Sequence, residues 1–202
     1  MISSRFTNKE ILFLKGYLKG RGFDEALKAI HLAETAHSNI KRKSGEPFVS
    51  HPIRIANALM SLGVNNEKIL IIAILHDILE DTSVTREELL DIFDKDVVDN
   101  IELLTKQDGM TLDCYYENIY MNPLASIVKI ADRCHNVSTM YFFDENKTKM
   151  YIEETEKYII PLCSYVSNKY PELSNYAYYM KYHIESILET TKHFIDKKKN
   201  CF

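Results

Sequence analysis

Glycine and proline are scarce, with six and five in 202 residues. Few obligatory breaks follow, and the dominant apolar period along the chain is helical. Cysteine is sparse too. Cys114, Cys134, Cys163 and Cys201 are scattered, with no CxxC pair, which argues against a disulfide framework and against a thiolate zinc site. No apolar run reaches the length that crosses a bilayer, and MISSRFTNKEIL at the N-terminus lacks the apolar stretch of a signal peptide. Positive charge is not in excess: 25 Lys and Arg stand against 29 Asp and Glu, a formal net charge of -4. A general nucleic-acid binder needs a basic face and is not indicated. Repeats, low-complexity segments and interdomain linkers are missing as well. The expectation is a soluble, cytoplasmic, all-α protein, a single domain over residues 1–202, with neither nucleic acid nor membrane as partner.

Helix signals punctuate the chain. TNKE (Thr7, Glu10) and TREE (Thr85, Glu88) have capping-box spacing. Asp24 can cap a helix through EALKAIHLAETAHSN. Pro52 suits a first helical turn, and Gly63 a left-handed helix end. A helix is expected over 69–81, another from Asp96 through VVDNIELLTK, and a long one opened by Asn122 and Pro123. DENKTKM reads as a polar connector, and a tyrosine-rich final helix covers about 175–195.

The segment KILIIAILHDILEDT raises a chemical question. A run greasy enough for a core ends in His76 and Asp77, with Glu80 and Asp81 one turn later. On a helix these four share one sector, and three carboxylates together are costly unless a cation neutralises them. Imidazole and carboxylate suit a divalent metal such as Mn²⁺, Fe²⁺ or Zn²⁺. Alone, the same residues also read as a solvated helix end. A second apolar-to-polar transition, IVKIADRCHNVSTM, brings Asp132, Asn136 and Thr139 onto one stripe. A third piece, KRKSGEPFVSHP, places Arg42, Lys43 and Ser44 before a Gly-Glu-Pro turn and His51. The three pieces together suggest one site. His51, His76, Asp77 and Asp132 form a candidate ligand set, able to make a water acidic enough to ionise near neutral pH. Glu80 and Asp81 are placed to orient that water or move its proton. Arg42, Lys43 and Ser44 offer cations and a hydroxyl to a phosphate.

RKSGEPFVSHP, AILHDILEDTSVT, LLTK, KIADRCHN and ETEKYIIPL, in this order over about 31–163, resemble the hydrolase domain of the RelA/SpoT homologues and the stand-alone small alarmone hydrolases, within the HD-domain phosphohydrolases. The resemblance implies a single-domain helical bundle holding one Mn²⁺ through His51, His76, Asp77 and Asp132. It implies hydrolysis of the 3′-pyrophosphate of guanosine tetra- or pentaphosphate, giving GDP or GTP and pyrophosphate. Glu80 and Asp81 would assist the attacking water. Arg42, Lys43 and Ser44 would line the nucleotide pocket, with Arg42 able to stack on the base, and Asn136 and Thr139 would bind the ribose-phosphate side. The chain departs from the pattern at Cys134, usually leucine, at Val137-Ser138, usually Met-Arg, and at FDKDVV, which lacks a glycine. It is expected to degrade the alarmone without making it. The same chemistry on another nucleotide, such as the 2′-phosphate of NADPH, and a silent nucleotide sensor are the competing readings.

His31, His37, His183 and His193 lie on ordinary helical patterns and read as structural, His37 standing nearest the basic stretch. The tyrosines of YAYYMKYHI read as core or interface, and the exposed share of their helix could form a homodimer contact.

Overall fold

The structure, a computed structural model, describes residues 2–42 and 44–199, and side chains within 7–196. Among these residues the regular structure is helical and no strand is present. Contacts gather the chain into two compact units, Met1–Lys129 and Ile130–Phe202.

The first unit holds α1 (Ile2–Arg21), α2 (Asp24–Ala36), α3 (Ser50–Ser61), α4 (Glu67–Leu75), α5 (Ile78–Asp81), α6 (Arg86–Leu90), α7 (Lys95–Leu104), α8 (Leu112–Tyr120) and the start of α9 (Pro123–Ser138). At its centre lies α4, packed against α2, α3 and α7. Residues 69–75 are each at most 3% exposed. A helix apolar on every side is stable only when enclosed, and each buried Ile or Leu contributes about 1.5–3 kcal/mol. Asn66 opens it, its side-chain oxygen accepting from the amides of Lys68 at 3.0 Å and Ile69 at 3.4 Å. Two of the polar side chains inside this unit are matched across elements: Asn100 Oδ1 accepts from the Ala125 amide at 3.1 Å, and Ser126 Oγ donates to the Ile119 carbonyl at 2.7 Å.

Several expectations hold. Thr85 and Glu88 form both bonds of a capping box, Gly63 ends α3 with φ +100°, and Pro123 opens α9. Others are corrected. Helix α1 runs straight through Thr7, which is buried within it; with helix continuing upstream, TNKE has no orphan amides to cap. Asp24 is the first residue of α2, not its cap, a position taken by Phe23. The helix expected over 69–81 breaks after Leu75 and restarts at Ile78. Asp94, not Asp96, precedes α7. DENKTKM is not a connector: Asp144 Oδ1 accepts from the Lys147 amide at 2.8 Å and starts α10 (Glu145–Glu154). Helix α8, capped by Thr111, has no counterpart in the sequence reading.

The second unit contains the remainder of α9, a 3₁₀ turn at Met140–Phe142, α10, a π-helical stretch at Thr155–Ile159, α11 (Ile160–Lys169) and α12 (Pro171–Lys199), longer than the expected 175–195. Helices α11 and α12 pack together. The wide turn lies just before Pro161, whose missing N–H cannot serve the carbonyl four residues back. Arg133, 3% exposed, ties α9 to this turn. It donates to Thr155 Oγ1 at 3.1 Å and to Glu154, and its guanidinium lies 3.9 Å from the Tyr151 ring centre. Removing one partner of a buried ion pair typically costs about 3–5 kcal/mol. Arg133→Ala is therefore expected to lower unfolding free energy by about 3 kcal/mol in urea titration; an unchanged midpoint would show that the clamp does not hold this unit together.

Candidate metal centre

Three loops and helix ends build the site in the first unit. The segment after α2 folds back on itself: Lys41 and Pro47 make an antiparallel bridge, and Phe48 N–H donates to Ile40 O at 2.9 Å. Its tip is closed by Gly45 N–H to Arg42 O at 2.9 Å. Gly45 has φ +83°, a backbone state that disfavours residues with a Cβ. Glu46 anchors the loop by accepting from both terminal nitrogens of Arg54, at 2.9 and 3.0 Å, while Arg54 Nε donates to Glu10 on α1 at 2.9 Å. Those hydrogen bonds hold the Glu46 carboxyl below its ordinary pKa against burial, helped by the Arg42 charge and the Ser44 hydroxyl.

His51 follows as the second residue of α3, 3% exposed. His76 sits directly after α4, equally buried. Its Nδ1 lies 2.8 Å from the Ala73 carbonyl, which can only accept, so Nδ1 carries the hydrogen. The imidazole thereby satisfies one of the carbonyls left open where α4 ends, and in the neutral ring it is Nε2 that carries the lone pair. Asp77 starts the next turn, its carbonyl accepting from the amides of Glu80 and Asp81 at 3.2 and 2.9 Å. Its Oδ2 is 3.1 Å from His76 Nε2 and 3.4 Å from His51 Nε2. The His51 and His76 rings meet edge to face with centroids 5.2 Å apart. One donor atom from each residue can be chosen so that all lie within 4.8 Å of one another.

Two imidazole nitrogens converging on one carboxylate oxygen require a positive charge among them, from a proton or a cation. Burial alone would push the Asp77 carboxyl up, but the charges and hydrogen bonds of His76 and His51 outweigh it and hold it well below the usual carboxylate range. The donor set, with Nδ1 of His76 committed elsewhere, fits a divalent cation. Asp81 shows the opposite response: burial, then the neighbouring charges of Asp77 and Glu80, push its carboxyl up to about 6. Both Glu80 and Asp81 are exposed on α5, one turn from Asp77.

The remaining residues singled out in the sequence lie as follows. Arg42 and Ser44 are half-buried in the anchored loop, and Lys43 lies outside the described residues. Asp132, 6% exposed, belongs to α9 in the second unit, where its Oδ1 accepts from Asn136 Nδ2 at 2.5 Å. Thr139, just beyond α9, donates its hydroxyl to Asn136 O at 3.2 Å. Sequence reasoning missed the Glu10–Arg54–Glu46 anchor, since nothing in the spacing of those residues marks them as partners. It also set aside His37, which is 1% exposed and stacks flat on Phe48.

Comparison with known proteins agrees with this geometry. A family model described as HD domain matches residues 29–111. The chain is 32% identical over 188 residues to the guanosine-3′,5′-bis(diphosphate) 3′-pyrophosphohydrolase of Aquifex aeolicus, covering 88% of this chain and 27% of that one. It is 36% identical over 152 residues to the GTP pyrophosphokinase rsh of Brucella ovis, 69% of this chain and 20% of that one. A solved structure of a metazoan ortholog of SpoT that hydrolyzes ppGpp superposes with TM-score 0.69 at 19% identity, over 83% of this chain and 95% of the other, a likeness of fold. The chain spans about a quarter or less of the length of the curated relatives it matches. It is an HD-domain protein, a class that implies a divalent metal, for which His51, His76 and Asp77 form a candidate site. Within that class it belongs to the RelA/SpoT family.

The two aspartates make opposite contributions to stability in metal-free protein. Asp77, held low, stabilises the fold above the ordinary carboxylate pKa and loses that contribution in acid. Asp81, raised to about 6, binds its proton more tightly folded than unfolded. Its contribution is present below the ordinary value and is lost as pH rises through about 6. Metal-free Asp81→Asn protein is thus expected to melt above wild type at about pH 7.5 and level with it at about pH 4. Equal melting temperatures at both values would show that Asp81 is not strained in the folded state.

Proposed function

We propose that this chain hydrolyses the 3′-pyrophosphate of guanosine tetra- or pentaphosphate, with Mn²⁺ as the resident ion. The reading treats both compact units as one HD hydrolase domain, with Asp132 joining His51, His76 and Asp77 as a ligand. The observation that carries it is the convergence of two buried imidazoles and a carboxylate, with donor atoms within 4.8 Å, in a chain whose relatives include named pyrophosphohydrolases. Some relatives are named GTP pyrophosphokinases, but two imidazoles on one carboxylate suit activation of water better than transfer between nucleotides.

A divalent cation at this site lowers the pKa of a bound water and offsets phosphate charge. The chain's residues do the rest. Arg42 and Ser44, on a loop held by Glu46 and Arg54, bind phosphate oxygens together with Lys43, and Arg42 also stacks on the base. Asn136 and Thr139 bind the ribose-phosphate side. Glu80 and Asp81 orient the attacking water and take its proton; a carboxyl near 6, as at Asp81, is matched to that task near neutral pH. Water adds at the 3′ phosphorus, the bond to the ribose O3′ breaks, and that oxygen takes up a proton, leaving GDP or GTP and pyrophosphate. Such a nucleotide substrate places the reaction in the cytoplasm. Tyr178, Tyr179 and Tyr182, all exposed on α12, are the face through which a homodimer would form.

Product analysis by ion exchange tests the reading. Mn²⁺-loaded protein should convert guanosine tetraphosphate to GDP and pyrophosphate, and Asp77→Ala should lose metal and turnover together. Glu80→Ala should keep the metal and turn over about 10²-fold more slowly. Phosphate release from NADPH alone would move the substrate, and turnover by metal-stripped protein would sink the mechanism.

A further inference from the structure

His37 is the one buried histidine near the metal centre that the proposed mechanism leaves without a task. It caps the end of α2, and both its backbone amide and its Nδ1 reach the Ala33 carbonyl, at 3.1 and 3.0 Å. Since that carbonyl only accepts, Nδ1 carries the hydrogen, and the two bonds pin the ring plane. Nε2 is enclosed and finds no hydrogen-bond partner among the described residues. A buried lone pair without a donor is unfavourable, so packing alone is a poor reason for an imidazole here; a leucine would fill the space without that penalty.

What the ring provides is a fixed flat face. Phe48 stacks on it with centroids 4.9 Å apart and planes 15° from parallel. Phe48 then meets His51 edge to face, at 6.1 Å and 78°, and His51 meets His76 in the same manner at 5.2 Å and 64°. Four rings from the end of α2, the anchored loop, α3 and the end of α4 thus form one continuous series. The backbone reinforces it: Ile40 N–H donates to His37 O at 3.0 Å, and Phe48 N–H to Ile40 O at 2.9 Å.

We infer that His37 is a positioning residue for the metal centre, holding the His51 imidazole in its binding orientation through the Phe48 ring. The inference rests on the metal reading above and adds to it a residue that touches neither metal nor substrate. Outer partners that orient a ligating histidine typically contribute about 10–100-fold to metal affinity.

The test is calorimetric titration of metal-stripped full chain with Mn²⁺, beside circular dichroism to confirm helical content. His37→Ala should raise the Kd for Mn²⁺ about tenfold or more. His37→Phe, which keeps a flat ring on Phe48, should restore most of that loss. Should the alanine variant fail to fold, Phe48→Leu breaks the series at its middle ring and should weaken Mn²⁺ binding similarly. Wild-type affinity in a folded His37→Ala or Phe48→Leu protein would overturn the inference, as would a phenylalanine variant as weak as the alanine one. A wild-type chain that binds no Mn²⁺, indistinguishable from His76→Ala, would instead overturn the metal reading itself.

Discussion

The hydrogen bond from His76 Nδ1 to the Ala73 carbonyl, 2.8 Å long, joins the fold to its chemistry. It closes the end of α4, the helix around which the first unit is packed, and so it belongs to the core. It also decides which imidazole nitrogen keeps its lone pair and sets the plane in which that lone pair lies. Because residues 69–75 are buried on every side, α4 has no freedom to roll or slide, and the imidazole inherits that rigidity. The backbone break that follows puts the Asp77 carboxylate against both histidines, whereas in a continuous helix neighbouring side chains project about 100° apart.

Such an arrangement opposes stability locally. A carboxylate and two imidazoles are drawn into a poorly hydrated corner, and a further carboxyl at Asp81 is pushed upward by the same crowding. Folded proteins tolerate this where function requires it and compensate elsewhere. Compensation is visible nearby, in the enclosed α4 and in the Arg54 network that fixes the loop before His51.

The broad outline was legible in the sequence because it depends on local signals. The apolar run before His76 announces an enclosed helix, Thr85 and Glu88 announce a helix start, and Gly63 a helix end. His51, His76 and Asp77 were legible as a group because their chemistry makes no sense apart. The misses have physical causes. Thr7 has the neighbours of a cap but lies within continuing helix, so its local signal is overridden. Nothing in KILIIAILHDILEDT announces the break after Leu75, since His76 ends the helix with its side chain and neither Gly nor Pro is involved. Asp144 looked like part of a polar linker because caps and linkers draw on the same residues. His37 was set aside because stacking on Phe48 is a relation of rings eleven positions apart, invisible to any helical period.

The Glu10–Arg54–Glu46 network has a further bearing on how an anion would be received. An unanchored loop must surrender conformational freedom when it closes around a ligand, and that loss weakens binding. Here the base of the loop is already tied by the Ile40–Phe48 bond, its flank by Arg54, and its tip by the Arg42–Gly45 bond. Much of the ordering is therefore completed during folding, before any ligand arrives. Because Arg54 also grips Glu10, helix α1, which supplies none of the residues assigned to the chemistry, shares in that preorganisation, and its docking would become a determinant of how tightly an anion at the loop is held.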